Sequence, residues 1–233
     1  MSVTIDGSER LGDVVQRLPA AAGLFERLGF DYCCGGARTL DEAAAERGLD
    51  GPTVATMLEA LAASGAGGTT HTAPTESAEA LAEHIVSAHH DRLRDELPRL
   101  EKLVATVARV HGPQDPKMVE VERIFNRLNV ELLEHMEREE RDLFPRVPSI
   151  VAGNSSPDAD GQLMDLLVEN HDDAGAALAL LRELCDGYQL DQAYCGTHRA
   201  MMGGLQELEI DMHRHVHEEN NVLFPQLRAQ LAG

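Results

Sequence analysis

Through the C-terminal two-thirds of the chain, apolar residues recur every three or four positions in four long segments separated by Gly- and Pro-containing breaks. That is the period of helices burying one stripe each. The first runs from about residue 77 to 110, where HGPQDP ends it. The second begins near Pro116 and carries Val119, Ile124, Leu128, Leu132 and His135 towards Pro145. The third spans about 160–187 and the fourth about 192–231. Four helices with short connections predict an up-down-up-down bundle.

The first 63 residues show shorter segments of the same period. Ser8 is placed to cap a helix with Leu11, Val14, Val15 and Leu18 on one face, and Pro19 opens a second through Leu24, Phe25 and Leu28 to Gly29. After the loop FDYCCGGARTL, Thr39 can cap a helix over 40–47 that stops at Gly48. Asp50 and Pro52 start a last helix carrying Val54, Met57, Leu58 and Leu61. Residues 64–75, rich in Gly, Ser, Thr and Pro, read as a flexible linker. The expected organisation is all-α: a small helical domain over 1–63, a linker over 64–75 and a four-helix bundle over 76–233.

Composition agrees, with few aromatics, no Trp and abundant Ala, Leu and Glu. A net charge of −20 would repel phosphate backbones and anionic lipid, so neither nucleic acid nor a membrane surface is an expected partner, whereas cations are. No apolar run approaches the roughly 20 residues of a bilayer span, and the N-terminus lacks a signal-like pattern. A cytoplasmic protein is expected. Four cysteines are too few for a disulfide scaffold, and only Cys33 and Cys34 are adjacent.

Two stretches of the bundle are copies of each other: HMEREERDLFP at 135–145 and HVHEENNVLFP at 215–225. A His-Asp pair precedes each, at His90 and His171, with separations of 45 and 44 residues to the next repeated histidine. This is the signature of a duplicated helical hairpin. Its shared residues include four histidines and two glutamates.

Positions i and i+4 lie on one helical face, so His135 with Glu139, and His215 with Glu219, point the same way. Adding His90 and His171 gives four imidazoles and two carboxylates from four helices. That is too many for one tetrahedral zinc but suits two metals bridged by the glutamates. Nitrogen and oxygen donors with an open position favour iron, with manganese open on ligand type alone. His213 and His217 form another i, i+4 pair, but it lies about 200° away on the helical wheel and has no counterpart in the first copy. Those two and His71, His84, His89, His111 and His198 read as structural or exposed, with His89 and His213 nearest to a supporting role. Phe144 and Phe224 read as core residues.

The Cys33-Cys34-Gly35-Gly36 turn is a second candidate. Adjacent thiols beside glycines are open from one side, and Arg38 is near enough in sequence to favour a thiolate. Such a pair can take iron, contact a client cluster or respond to oxidation.

The HD…HxxxExxxLFP repeat resembles the hemerythrin-like cation-binding domain, and FDYCCGG resembles the short N-terminal domain of the repair-of-iron-centres family, in the same order. The resemblance covers nearly the whole chain. It implies a non-haem protein with two bridged iron ions, often a homodimer, that helps restore iron–sulfur clusters damaged by nitric oxide or oxidants. It carries the iron-ligand role onto His90, His135, Glu139, His171, His215 and Glu219. Oxygen-carrying hemerythrins use a further histidine with no repeat-matched position here, which argues against oxygen transport. The leading expectation is iron supply to damaged iron–sulfur proteins, with Cys33 and Cys34 assisting transfer. Reduction of nitric oxide to nitrous oxide, or sensing of O2 or nitric oxide, are the alternatives.

Overall fold

A computed structural model describes residues 4–64 and 77–232. Most of the expected 64–75 linker, and His71 with it, lies outside the described residues. Among those described the chain is all-α, with an isolated bridge between Arg10 and Thr39 and no strand. It divides into two compact units: Met1–Leu81 with His213–Gly233, and Ala82–Met212.

The first unit contains α1 (Leu11–Arg17), α2 (Ala21–Leu28), α3 (Leu40–Glu46) and α4 (Gly51–Ala63). Their apolar faces meet in a core built on Leu11, Val14, Phe25, Phe30, Tyr32, Leu40, Val54 and Leu58. Thr39 caps α3 reciprocally with Glu42, and Asp50 caps α4 through the Thr53 amide, as the sequence suggested. α2 ends on Gly29 at φ 69°, a left-handed residue that any side chain would strain. Ser8 does not cap α1. Arg10 occupies that position and the Ser8 hydroxyl bonds Asp6, because the chain before α1 pairs with the end of the cysteine loop. Met57 is exposed, one position off the buried Val54–Leu58 stripe. The C-terminal part of this unit is α11 (Phe224–Leu231), with Phe224 and Leu227 buried.

The second unit holds a bundle of α6 (Asp91–His111), α7 (Lys117–Arg138), α9 (Pro157–Leu184) and α10 (Gly196–Glu218, as far as Met212). α5 (Ala78–Ile85) leads into α6, and the short α8 (Val147–Val151) lies between α7 and α9. α6 packs on α7 and α7 on α9. Arg182 on α9 pairs with Glu209 on α10, and Arg92 on α6 with Asp211 on α10, so the four helices close a ring. The core repeats along each helix: Leu93, Leu97, Leu100 and Val104; Val121, Phe125, Leu128 and Leu132; Met164, Leu167, Leu178 and Leu181; Met201, Leu205, Leu208 and Met212. Val119, expected on the inner stripe of α7, is exposed, and Val121 is buried instead. Gly204 admits Leu100, whose Cδ2 would stand 2.5 Å from an added Cβ, so α6 and α10 approach closely there.

Three turns of π-helix interrupt these helices, at Val86–His90, Glu139–Leu143 and Glu219–Leu223. Pro145 and Pro225 account for two of them. Proline has no N–H and its ring crowds the carbonyl four residues back, at Arg141 and Asn221, so the helix widens by one residue ahead of it. The same physics predicts the cost of losing a cap: Thr39→Ala should lower stability by about 1 kcal/mol. Urea denaturation should show an earlier midpoint with an unchanged slope.

Candidate metal centre

The π turns carry three of the six repeated polar residues. His90 closes the first, Glu139 opens the second and Glu219 opens the third. All are buried, as are His135, His171 and His215. Wherever a π turn inserts a residue, side chains beyond it are rotated by about 100° relative to a straight α-helix. In both copies the Glu that opens the turn and the Leu that closes it are fully buried.

In the second unit, Glu139 faces two imidazoles at once. Its Oε2 lies 3.4 Å from His90 Nε2 and its Oε1 lies 3.3 Å from His135 Nε2. His135 Nε2 is also 3.0 Å from His171 Nε2, so donor atoms of His135, Glu139 and His171 converge within 4.8 Å of one another. The first unit repeats the local motif, with His215 Nε2 3.0 Å from Glu219 Oε1. A fully buried carboxylate among imidazoles is costly unless a cation balances it. Buried imidazole nitrogens and carboxylate oxygens, one carboxylate turned to two histidines, are able to hold metal ions and fit iron.

Sequence reasoning missed the residue behind His90. His90 Nδ1 lies 2.7 Å from Glu140 Oε1, and Arg94 Nη2 donates to the same oxygen at 2.8 Å. Burial alone would push the Glu140 carboxyl up, but hydrogen bonds from His90 and Arg94 outweigh it and hold it below the usual value. The adjacent Glu-Glu was the available signal, since one helical position cannot aim both carboxylates at the same point. Phe144 is half-buried rather than a core residue and stacks on the His90 ring at 5.8 Å between centroids. A pocket of about 130 Å³, lined in part by Glu134, His135, Arg138, Asn170 and His171, opens beside the His135–His171 pair. Arg138 donates to Asn170 at 3.1 Å on its wall.

The other histidines have separate partners. His89 Nδ1 lies 3.4 Å from Asp211, and His213 Nδ1 2.7 Å from Glu26. His213 therefore braces α2 and not a ligand. Burial pushes the His217 imidazole down from its ordinary value.

The cysteine loop is seated within the first unit. Asn221, two residues beyond Glu219, donates to the carbonyls of Cys33 at 2.9 Å and Tyr32 at 3.3 Å. Gly12 and Gly36 make room for that amide, which would stand 2.8 and 2.3 Å from an added Cβ at each. The Tyr32 hydroxyl donates to Glu26, and its ring meets His213 and His217 edge-on. Both thiols are free, with Sγ atoms 3.9 Å apart, and Asp31 Oδ1 lies 3.3 Å from Cys33 Sγ. Arg38 does not serve the thiols as expected; it is ion-paired with Glu46. The hydrogen bond to Cys34, burial and the neighbouring negative charges push the Cys33 thiol well above its ordinary value. Asp31, Cys33 and Cys34 nonetheless gather three donor atoms within 4.8 Å.

Comparison with known proteins follows the same division. The profile of the hemerythrin HHE cation-binding domain matches residues 81–227, and that of a domain of unknown function found at the N-terminus of ScdA matches 7–62. Iron-sulfur cluster repair protein ScdA of Staphylococcus haemolyticus is 31% identical over 214 residues, covering 92% of this chain and 95% of its own. Iron-sulfur cluster repair protein YtfE of Pectobacterium atrosepticum is 33% identical, covering 93% and 95%. YtfE of Citrobacter koseri is also 33% identical, covering 94% and 96%.

The charge on Asp31 disfavours the Cys33 thiolate, so Asp31→Asn should lower that thiol's pKa and raise its thiolate fraction at pH 8. Iodoacetamide labelling followed by peptide mass spectrometry should show faster modification of Cys33 in the variant than in the wild type. An unchanged rate would mean that the Cys34 hydrogen bond and burial govern this thiol without Asp31.

Proposed function

Because the chain belongs to the hemerythrin HHE cation-binding family, we propose that it is a di-iron protein that repairs iron–sulfur clusters damaged by nitrosative or oxidative stress, by supplying iron. The observation that carries this reading is the Glu139 carboxylate, whose two oxygens face two different imidazoles in the manner of a bridging ligand. His90, His135, Glu139, His171, His215 and Glu219 are the residues that would hold the two ions. The duplicated His215–Glu219 pair supports the assignment. Relatives of similar length named as iron-sulfur cluster repair proteins support the activity.

When bound, the ferrous pair supplies exchangeable iron and reducing electrons. The chain's own residues would do the rest: four imidazoles and two carboxylates, all buried, would hold the ions. Cys33 and Cys34 are the proposed transfer thiols, presented on a loop that Asn221 ties to the π turn beginning at Glu219. The functional division is a thiol domain over 1–63, a linker over 64–75 and the iron-binding bundle over 76–233. The reading includes a cytoplasmic location, homodimerisation and damaged iron–sulfur proteins as clients. No helix among the described residues is long and apolar enough to cross a membrane.

The pocket beside His135 and His171 favours a second reading. Its volume admits small molecules such as nitric oxide, and two of them held side by side can be reduced by two electrons and two protons to nitrous oxide and water.

Two irons per chain are expected after anaerobic reconstitution, and Glu139→Ala with Glu219→Ala should abolish that stoichiometry. The loaded wild type should reactivate a nitric-oxide-damaged iron–sulfur enzyme beyond what equimolar free ferrous iron achieves. Equal reactivation by free iron would remove the delivery reading. Nitrous oxide in the headspace of an anaerobic single turnover would instead favour reduction.

A further inference from the structure

The duplication that builds the metal centre is not complete. Behind His90 stands a charged pair: Glu140 Oε1 at 2.7 Å from His90 Nδ1, itself held by Arg94 Nη2 at 2.8 Å. Neither member recurs in the second copy. Glu140 directly follows Glu139, but Asn220 follows Glu219; Arg94 stands four residues beyond His90, but Gly175 stands four beyond His171. An amide cannot offer an imidazole N–H the full charge of a carboxylate, and glycine has no side chain to anchor one.

A carboxylate accepting from Nδ1–H fixes the tautomer that leaves Nε2 free to ligate, holds the ring's orientation and raises its basicity. His90 Nε2 is the nitrogen turned towards Glu139. The Phe144 ring stacked on His90 restrains the same imidazole from one face. The surroundings differ on the other side of Glu139, where His135 and His171 line the 130 Å³ pocket.

We propose that Glu140 is a positioning residue that makes the two iron positions unequal: the ion on His90 is retained, and the ion on His135 and His171, beside the pocket, is the one that exchanges. This inference rests on the di-iron reading above and adds to it which ion leaves. Delivery of one ion while the other remains would let the remaining ion keep the two glutamates and their helices in place between cycles.

The test is release of iron from the full chain, loaded anaerobically with two ferrous ions and mixed with excess ferrozine. The wild type should lose iron in two phases of one equivalent each. Glu140→Gln should accelerate the slow phase by about 10- to 100-fold, the range for loss of a residue behind a metal-bound histidine, and leave the fast phase unchanged. Arg94→Gln, which keeps Glu140 but removes its anchor, should move the slow phase the same way by less and decides the matter should Glu140→Gln not fold. A single phase of two equivalents in the wild type, or a slow phase indifferent to both substitutions, would overturn the proposal while leaving the di-iron reading intact. A wild type that never binds two irons would remove that reading first.

Discussion

Two carboxylates with no exposure to solvent, Glu139 and Glu219, set the terms for the rest of the molecule. Taking an ionised carboxylate out of water costs on the order of several kcal/mol even after the protein relaxes. An apolar core cannot offset that, and imidazoles do so only in part. Imidazole nitrogens at 3.3 and 3.4 Å from Glu139, and at 3.0 Å from Glu219 in the other unit, are poised for cations. In the unit that holds Glu139, long helices with leucine and methionine layers, the ring-closing ion pairs Arg92–Asp211 and Arg182–Glu209, and a glycine where α6 and α10 come closest fix the helices that carry it and its histidines.

The π turns are the local device. A straight α-helix through HMEREERDLFP would run into Pro145, which lacks a donor and crowds the Arg141 carbonyl. Widening the helix over Glu139–Leu143 absorbs the proline's missing bond, and the turn runs between two buried residues, Glu139 at its start and Leu143 at its end. The second copy does the same over Glu219–Leu223. There Asn221, in the middle of the widened turn, has a use the first copy lacks, since its amide holds the backbone of the cysteine loop. The conversion of one repeat element into a docking point explains why Gly12 and Gly36 have no side chains where that amide lies.

The cysteine loop is a different electrostatic environment from the one that its neighbouring Arg38 suggested. Asp31 accepts from the Cys33 and Cys34 amides at 3.2 and 3.0 Å and stands beside the Cys33 sulfur, while Arg38 is engaged by Glu46. The thiol is thereby kept protonated and close to a carboxylate. Asp31, Cys33 and Cys34 bring three donor atoms within 4.8 Å of one another, a grouping that could hold a cation.

The sequence by itself determined the helices and their approximate ends, and it singled out six polar residues that all prove to be buried. Helical period, caps such as Thr39 and Asp50 and the spacing of His135–Glu139 and His215–Glu219 are local properties, carried by neighbours within four residues. What lay beyond it was set by contacts distant along the chain. The π turn that begins at Glu139 has no composition of its own, and the use of Glu140 depends on His90 and Arg94, some fifty positions away. The seat of the cysteine loop depends on Asn221, 188 residues beyond Cys33. Arg10 displaced Ser8 as the cap of α1 because the loop at Thr39 pairs there. Periodicity records which face of a helix is buried; it holds no information about what the buried face meets, and that was decided only when the tertiary structure brought the partners together.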